Sequence, residues 1–108
     1  MTRSMTHPAE LDLELVREAQ RALAGRIRET PVEQSPALSE LAGAPVVLKL
    51  ECLQLTGSFK IRAAFFVMSQ LSPDERQRGV VTCSAGNHGK AIAHVARELV
   101  ILSGLGGW

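Results

Sequence analysis

Two short runs rich in β-branched residues, VVLKLE (Val46–Glu51) and GVVTC (Gly79–Cys83), have strand length. Each leads through a glycine-bearing loop, CLQLTGS or SAGNHGK, into a segment with apolar residues at helical spacing. Strand, loop and helix repeated in this order predict an α/β fold, a partial parallel sheet with flanking helices. Right-handed crossovers would put Cys52–Ser58 and Ser84–Gly89 at the carboxyl ends of their strands, the edge where open α/β sheets bind ligands. Two helix N-termini would then converge there, each suited to an anion.

The remaining segments read as support. Leu11, Leu15, Ala19, Ala22, Leu23 and Ile27 predict an amphipathic helix from about Ala9 to Arg28, started by Pro8 and ended by Thr30-Pro31. Ser35-Pro36 opens a short helix to Leu41, closed by Gly43. Phe59–Leu71 carries apolar residues around nearly its whole circumference, which predicts a buried helix. Ser72-Pro73-Asp74-Glu75 fits a capping box with proline at the first helical position. Ala91, Ile92, Val95, Ala96 and Leu99 form one face of a later helix, and VILSGL, Val100 to Leu105, reads as a final strand.

A net charge of +1 over 108 residues gives no strong electrostatic attraction to nucleic acid or to an anionic membrane. The longest apolar run is too short to span a bilayer, and MTRSMTHPAELDLEL has no apolar stretch of the kind a secretory signal needs. Cys52 and Cys83 lack CxxC spacing, which suits reduced thiols in a cytoplasmic protein. His7, His88 and His94 share no ligand spacing with one another or with the cysteines, so no metal site is expected.

The chemistry lies in the two loops. Lys60 stands in the first turn of an apolar helix, where the macrodipole opposes a cation. Dipole and burial together would disfavour the ammonium and free the amine, which is what a Schiff-base lysine requires. On the residues alone, a solvated lysine at a frayed helix start is the competing reading. The Ser84–Gly89 loop offers backbone N–H groups, a hydroxyl, an amide and an imidazole, which suit a carboxylate or phosphate. It reads equally as a plain turn in which Ser84 or Asn87 caps the helix. Neither loop matches a phosphate-binding P-loop or a dinucleotide fingerprint.

SFKIRAA and SAGNHGKAIA, joined by the GVVT strand and preceded by LKLECLQLTG, together resemble the threonine/serine dehydratase and serine racemase family. The resemblance runs from about Leu11 to Leu99, with Arg28-Glu29-Thr30-Pro31 in register. It implies an enzyme of fold type II, the tryptophan synthase β-like fold, with pyridoxal 5'-phosphate as cofactor and a small amino acid as substrate. By that resemblance Lys60 is the lysine that binds the cofactor covalently, and Phe59 lies beside the cofactor ring. Asn87 bonds the cofactor's phenolic oxygen. Ser84, Ala85, Gly86, Asn87 and His88 form the loop that closes on the substrate carboxylate.

The chain also departs from the family pattern. Ala85 stands where serine racemases carry a second serine as base, which favours dehydration over racemisation. Ala63 replaces a usual glycine, Leu55 a proline and Lys90 a glutamine. After Leu99 the resemblance fades, and residues 100–108 diverge. The family's phosphate cup, its partner for the pyridine nitrogen and its metal ligands have no counterpart in these 108 residues. The expectation is therefore the N-terminal part of a dehydratase, inactive alone, that self-associates through its sheet. The alternatives are a non-catalytic fragment and a small anion-binding α/β module.

Overall fold

A computed structural model describes residues 11–106. Helix α1 (Leu13–Leu23) starts at Asp12, whose carboxylate accepts the Leu15 N–H at 2.8 Å. Pro8, the expected start, lies outside the described residues. The expected run to Arg28 stops at Leu23, because Ala24 is extended and Gly25 takes φ +74°. Beyond the turn, the N–H and C=O of Arg28 are both bonded to the Gln54 side chain and are lost to any helix.

Strand β1 (Val32–Gln34) has no counterpart among the expected elements. It pairs antiparallel with β2 (Val47–Lys49), Val32 opposite Lys49 and Gln34 opposite Val47. Between them α2 (Pro36–Ala42) opens on Ser35 and closes on Gly43 at φ +65°, as its proline and glycine predict. The Ser39 hydroxyl accepts the Val46 N–H at 2.8 Å and ties the helix to the second arm of the hairpin.

The expected sheet shared by β2 and the Val80–Cys83 strand is not formed. β2 ends in a 3-10 turn at Glu51–Leu53, and its partner is β1. The parallel pair is instead β3 (Val80–Cys83) with β4 (Ser103–Gly106), in register from Val80–Ser103 to Cys83–Gly106. Helix α5 (Asn87–Glu98) is the crossover between them. Helix α3 (Lys60–Ser69) is followed by α4 (Pro73–Arg78), whose reciprocal Ser72–Glu75 bonds at 3.2 and 2.7 Å complete the expected capping box.

The core forms where α3 packs on α5. Ile61, Ala64, Phe65 and Met68 meet Ala91, Val95 and Ala96, with Leu23 and Ile101 at the margins. Phe65 and His94 meet edge to face at 6.4 Å between centroids. Contrary to the expectation from its composition, α3 is not buried all round. α1 and α5 cover two of its sides, while Phe59 and Val67 remain 60% and 39% exposed.

Two backbone positions close this core under opposite conditions. Gly79, at φ +80°, closes α4 just before β3, and a Cβ there would stand 2.6 Å from the Leu102 carbonyl oxygen. Val100 follows the Leu99 cap of α5 at φ +55°, with its N–H on the Arg97 carbonyl and the Ile101 N–H on the Ala96 carbonyl. Those two bonds make a Schellman end, whose left-handed position normally falls to glycine. A β-branched residue there carries strain of about 1–2 kcal/mol. In urea unfolding, Val100→Gly is therefore expected to stabilise the chain by about 1 kcal/mol after the entropic penalty of glycine. Gly79→Ala should destabilise it by about 3 kcal/mol. No difference in sign between the two would contradict the assignment.

Candidate active site

LKLE places a cation and an anion on an otherwise apolar run, and their partners come from two other segments. Glu51 Oε2 accepts Arg62 Nε at 2.9 Å, and Oε1 accepts Arg62 Nη2 at 2.7 Å. The same Oε1 accepts the Thr30 hydroxyl at 2.7 Å. Lys49 Nζ donates to the Thr30 carbonyl at 3.0 Å and to its hydroxyl oxygen at 2.8 Å. Buried Gln54 binds Arg28 through both ends of its carboxamide and also accepts the Leu55 N–H. Segments 28–30, 49–55 and the start of α3 are thus one polar joint. The Arg62 guanidinium holds the Glu51 carboxyl at about 2, well below its ordinary 4.5, with the Thr30 hydroxyl adding to the effect and burial opposing it.

The joint sets the start of α3. Phe59 is its N-cap and offers no side-chain hydrogen bond, and Gly57 before it turns at φ +79°. With no Ser, Thr, Asp or Asn in the cap position, the first turn is held by two residues inside the helix, fully buried Ile61 and doubly bonded Arg62. The Glu51 carboxylate also places negative charge at a helix N-terminus, where the macrodipole favours it. Lys60 lies within this turn and is exposed, so the burial expected of it is not supplied by the described residues. Its Nζ stands 5.5 Å from the centroid of the Phe59 ring.

At α5 the arrangement differs. The Ser84 hydroxyl accepts the N–H of Gly86 at 3.2 Å and of Gly89 at 3.0 Å, so Ser84 closes the turn, while the N-cap position itself falls to Gly86 rather than to Ser84 or Asn87. Asn87 and His88 already belong to the helix, which shortens the expected loop to Ser84–Gly86. Among the described residues, none accepts the N–H groups of Ala85, Asn87 or His88. Ala85, Gly86, Asn87 and His88 are all exposed.

The structure thus joins Phe59 to Lys60, and Ser84 to Gly86 and Gly89, each group at the N-terminal end of one of two packed helices. It does not join the groups to each other by a hydrogen bond among the described residues. Nor do these residues line either of two clefts. A cleft of about 780 Å³ runs between α1 and α3, past Leu23, Arg28, Lys49, Arg62 and Phe66. Another of about 540 Å³ lies between the Leu55–Gly57 loop and the α5 residues Lys90, His94 and Arg97. Among the described residues no group of three or more His, Cys, Asp and Glu side chains could hold a metal, and no helix is long and apolar enough to cross a membrane.

Sequence reasoning missed the joint, although Glu51 and Gln54 stand in a loop whose neighbours are apolar, a placement that polar groups occupy only when paired. Two further groups were missed. The hydroxyls of Thr56 and Ser58 are buried with no hydrogen-bond partner among the described residues. An unpaired buried hydroxyl costs about 1–3 kcal/mol. The loop leading to Lys60 therefore carries two sealed polar atoms whose hydrogen-bonding capacity the described residues leave unmet.

Comparison with known proteins gives consistent results. A family described as "Pyridoxal-phosphate dependent enzyme" matches residues 23–102. An L-threonine ammonia-lyase of Thermotoga maritima is 47% identical over 87 residues, covering 81% of this chain and 22% of that protein. A serine racemase of Oryza sativa subsp. indica is 39% identical, covering 85% of this chain and 27% of that protein. The structure of maize serine racemase superposes with a TM-score of 0.80 at 35% identity, covering 89% of this chain and 30% of that one. The chain thus spans less than a third of the length of each.

The polar joint has a pH signature. Glu51 is depressed in the folded state, so its contribution is complete above its unfolded value of 4.5 and is lost as pH falls through about 2. Glu51→Gln is expected to lower stability near neutral pH by about 2 kcal/mol, a figure reduced for the partial exposure of Arg62. It should also flatten the decline of stability between those two pH values, measured by urea unfolding across the acid range. Parallel acid limbs for the two proteins would count against the joint.

Proposed function

The chain belongs to the pyridoxal-phosphate-dependent enzyme family, and on that premise we propose that it carries the amine-bearing part of an amino-acid ammonia-lyase site. The reaction class is conversion of a 2-amino-3-hydroxy acid, threonine or serine, to a 2-oxo acid and ammonia. One observation carries the reading: an exposed lysine at the start of α3, its amine 5.5 Å from the centroid of an aromatic ring, in a loop–helix junction that follows two unpaired buried hydroxyls.

The described residues suit the cofactor at one end. Lys60 would hold it through Nζ, Phe59 would flank its ring, and Asn87 would meet its phenolic oxygen. Pyridoxal phosphate supplies an electron sink for a substrate's α-carbon when bound. The work of this chain's own residues is simpler. Lys60 Nζ, which would hold the cofactor, would also serve as the base for the substrate's α-proton whenever its amine is free. The free N–H groups of Ala85, Asn87 and His88, at the positive end of α5, receive the substrate carboxylate. Ser84 keeps those N–H groups aimed by closing the turn behind them.

Serine racemases and threonine ammonia-lyases are both among the relatives, and one position favours elimination. Ala85 brings no hydroxyl to the turn, so it provides no second base for returning a proton from the opposite face. The chain has no described group placed to hold a phosphate next to Lys60, and it spans 22% of the length of the threonine ammonia-lyase it matches. Turnover accordingly needs groups beyond these residues. Uncovered Val81 and Leu102, 81% and 78% exposed beside the parallel pair, favour self-association of the chain alone.

Lys60 should be the preferred site of attachment among the three lysines, Lys49, Lys60 and Lys90. Incubation with pyridoxal phosphate, borohydride reduction and peptide mapping by mass spectrometry measures this, and even labelling of all three would refute it. The same preparation should form no 2-oxobutyrate from L-threonine, since losing the positioning of a reactant can forfeit several orders of magnitude in rate. Turnover that disappears in Lys60→Ala would overturn that expectation.

A further inference from the structure

Between Lys60 and the rest of the chain stands a helix start without a conventional cap, and the groups that replace the cap are identifiable. Successive helical residues are set about 100° apart around the axis. Fixing two neighbours therefore fixes the azimuth of a third. Ile61 is fully buried against α5 and sets one direction. Arg62 is bound at two atoms by Glu51 and sets a second. Lys60 precedes both and inherits its direction from them. A single contact would allow the turn to pivot; a two-point pair between a planar guanidinium and a carboxylate does not.

We propose that Glu51 and Arg62 are positioning residues for Lys60, acting by pinning the first turn of α3 to the β1–β2 hairpin so that the Lys60 Cα–Cβ bond, and with it the region its amine can sweep, has one direction. This rests on the reading of Lys60 as the cofactor-binding lysine. Glu51 is itself held from two sides besides Arg62. Thr30 bonds Oε1 directly, and Lys49 lies 3.7 Å from the same atom. The carboxylate is thus a fixed point to which α3 is referred, rather than a mobile side chain that follows it. The hairpin behind it is in turn tied to the loop before α3 by Gln54, which bonds the backbone of Arg28 and of Leu55.

The test uses selectivity of amine capture. The chain and its variants are treated with pyridoxal phosphate and borohydride at subsaturating concentration, and the ratio of label at Lys60 to label at Lys90 is read by mass spectrometry. Lys90, on α5 and outside the joint, serves as the internal reference. Glu51→Gln should lower the ratio by about threefold or more, because the helix turn that carries the amine is no longer held in one orientation. Arg62→Lys, which keeps the charge but loses the two-point geometry, should lower it as well and guards against a Glu51 variant that fails to fold. Val95→Ala, a core truncation on α5, should lower the melting temperature by a comparable or larger amount yet leave the ratio unchanged. A ratio unaltered in both joint variants, or lowered equally in Val95→Ala, would overturn the positioning role. A wild-type chain with no preference for Lys60 would overturn both this inference and the reading it rests on.

Discussion

The Glu51–Arg62 pair is the constraint on which the arrangement depends. The chain must bring a hairpin, two packed helices and a parallel strand pair into one relation with little apolar area, and the hairpin contributes almost none. Its strand residues are all exposed. The link from hairpin to core is polar: Lys49, Thr30 and Glu51 on one side, Arg62 on the other, with Gln54 closing the loop between them. Such pairs are worth little at the surface and are costly to break when partly buried, so the joint gives geometry more than stability.

The two site helices solve the same problem in different ways. A helix start needs partners for its first N–H groups and a reason to begin where it does. At α5 a hydroxyl outside the helix, Ser84, supplies the partner and leaves other N–H groups free for an anion. At α3 the cap residue supplies nothing, and an arginine inside the helix reaches out to a fixed carboxylate. The first solution suits a substrate-binding turn. The second suits a residue whose direction matters more than its hydrogen bonds.

Much of this was legible in the residues, where local chemistry decided the outcome. Ser35-Pro36 with Gly43, and Ser72-Pro73 with Glu75, mark helix ends by bonds within a few residues, and both helices form as read. The loops flanking Lys60 and Asn87 were legible too, from their glycines. Long-range pairing was not. β1 is three residues with one apolar side chain, and its identity as a strand comes from β2 alone. α1 ends early because Gln54, twenty-six residues beyond Arg28, takes the backbone groups a longer helix would need. The burial of Lys60 failed as an expectation because helical periodicity reports which residues are apolar, not which elements arrive to cover them.

Val100 closes α5 in a conformation its own side chain resists, so the join between helix and β4 is a point of local frustration. The strain is retained because Ile101 must reach the core and Leu102 must accept the Val80 N–H. If β4 leaves β3, that strain is released while most of the α3–α5 core stays intact. Strand departure is therefore easier by the same increment, and native-state opening of this corner should begin at the Val100 turn rather than within the β3–β4 pairing.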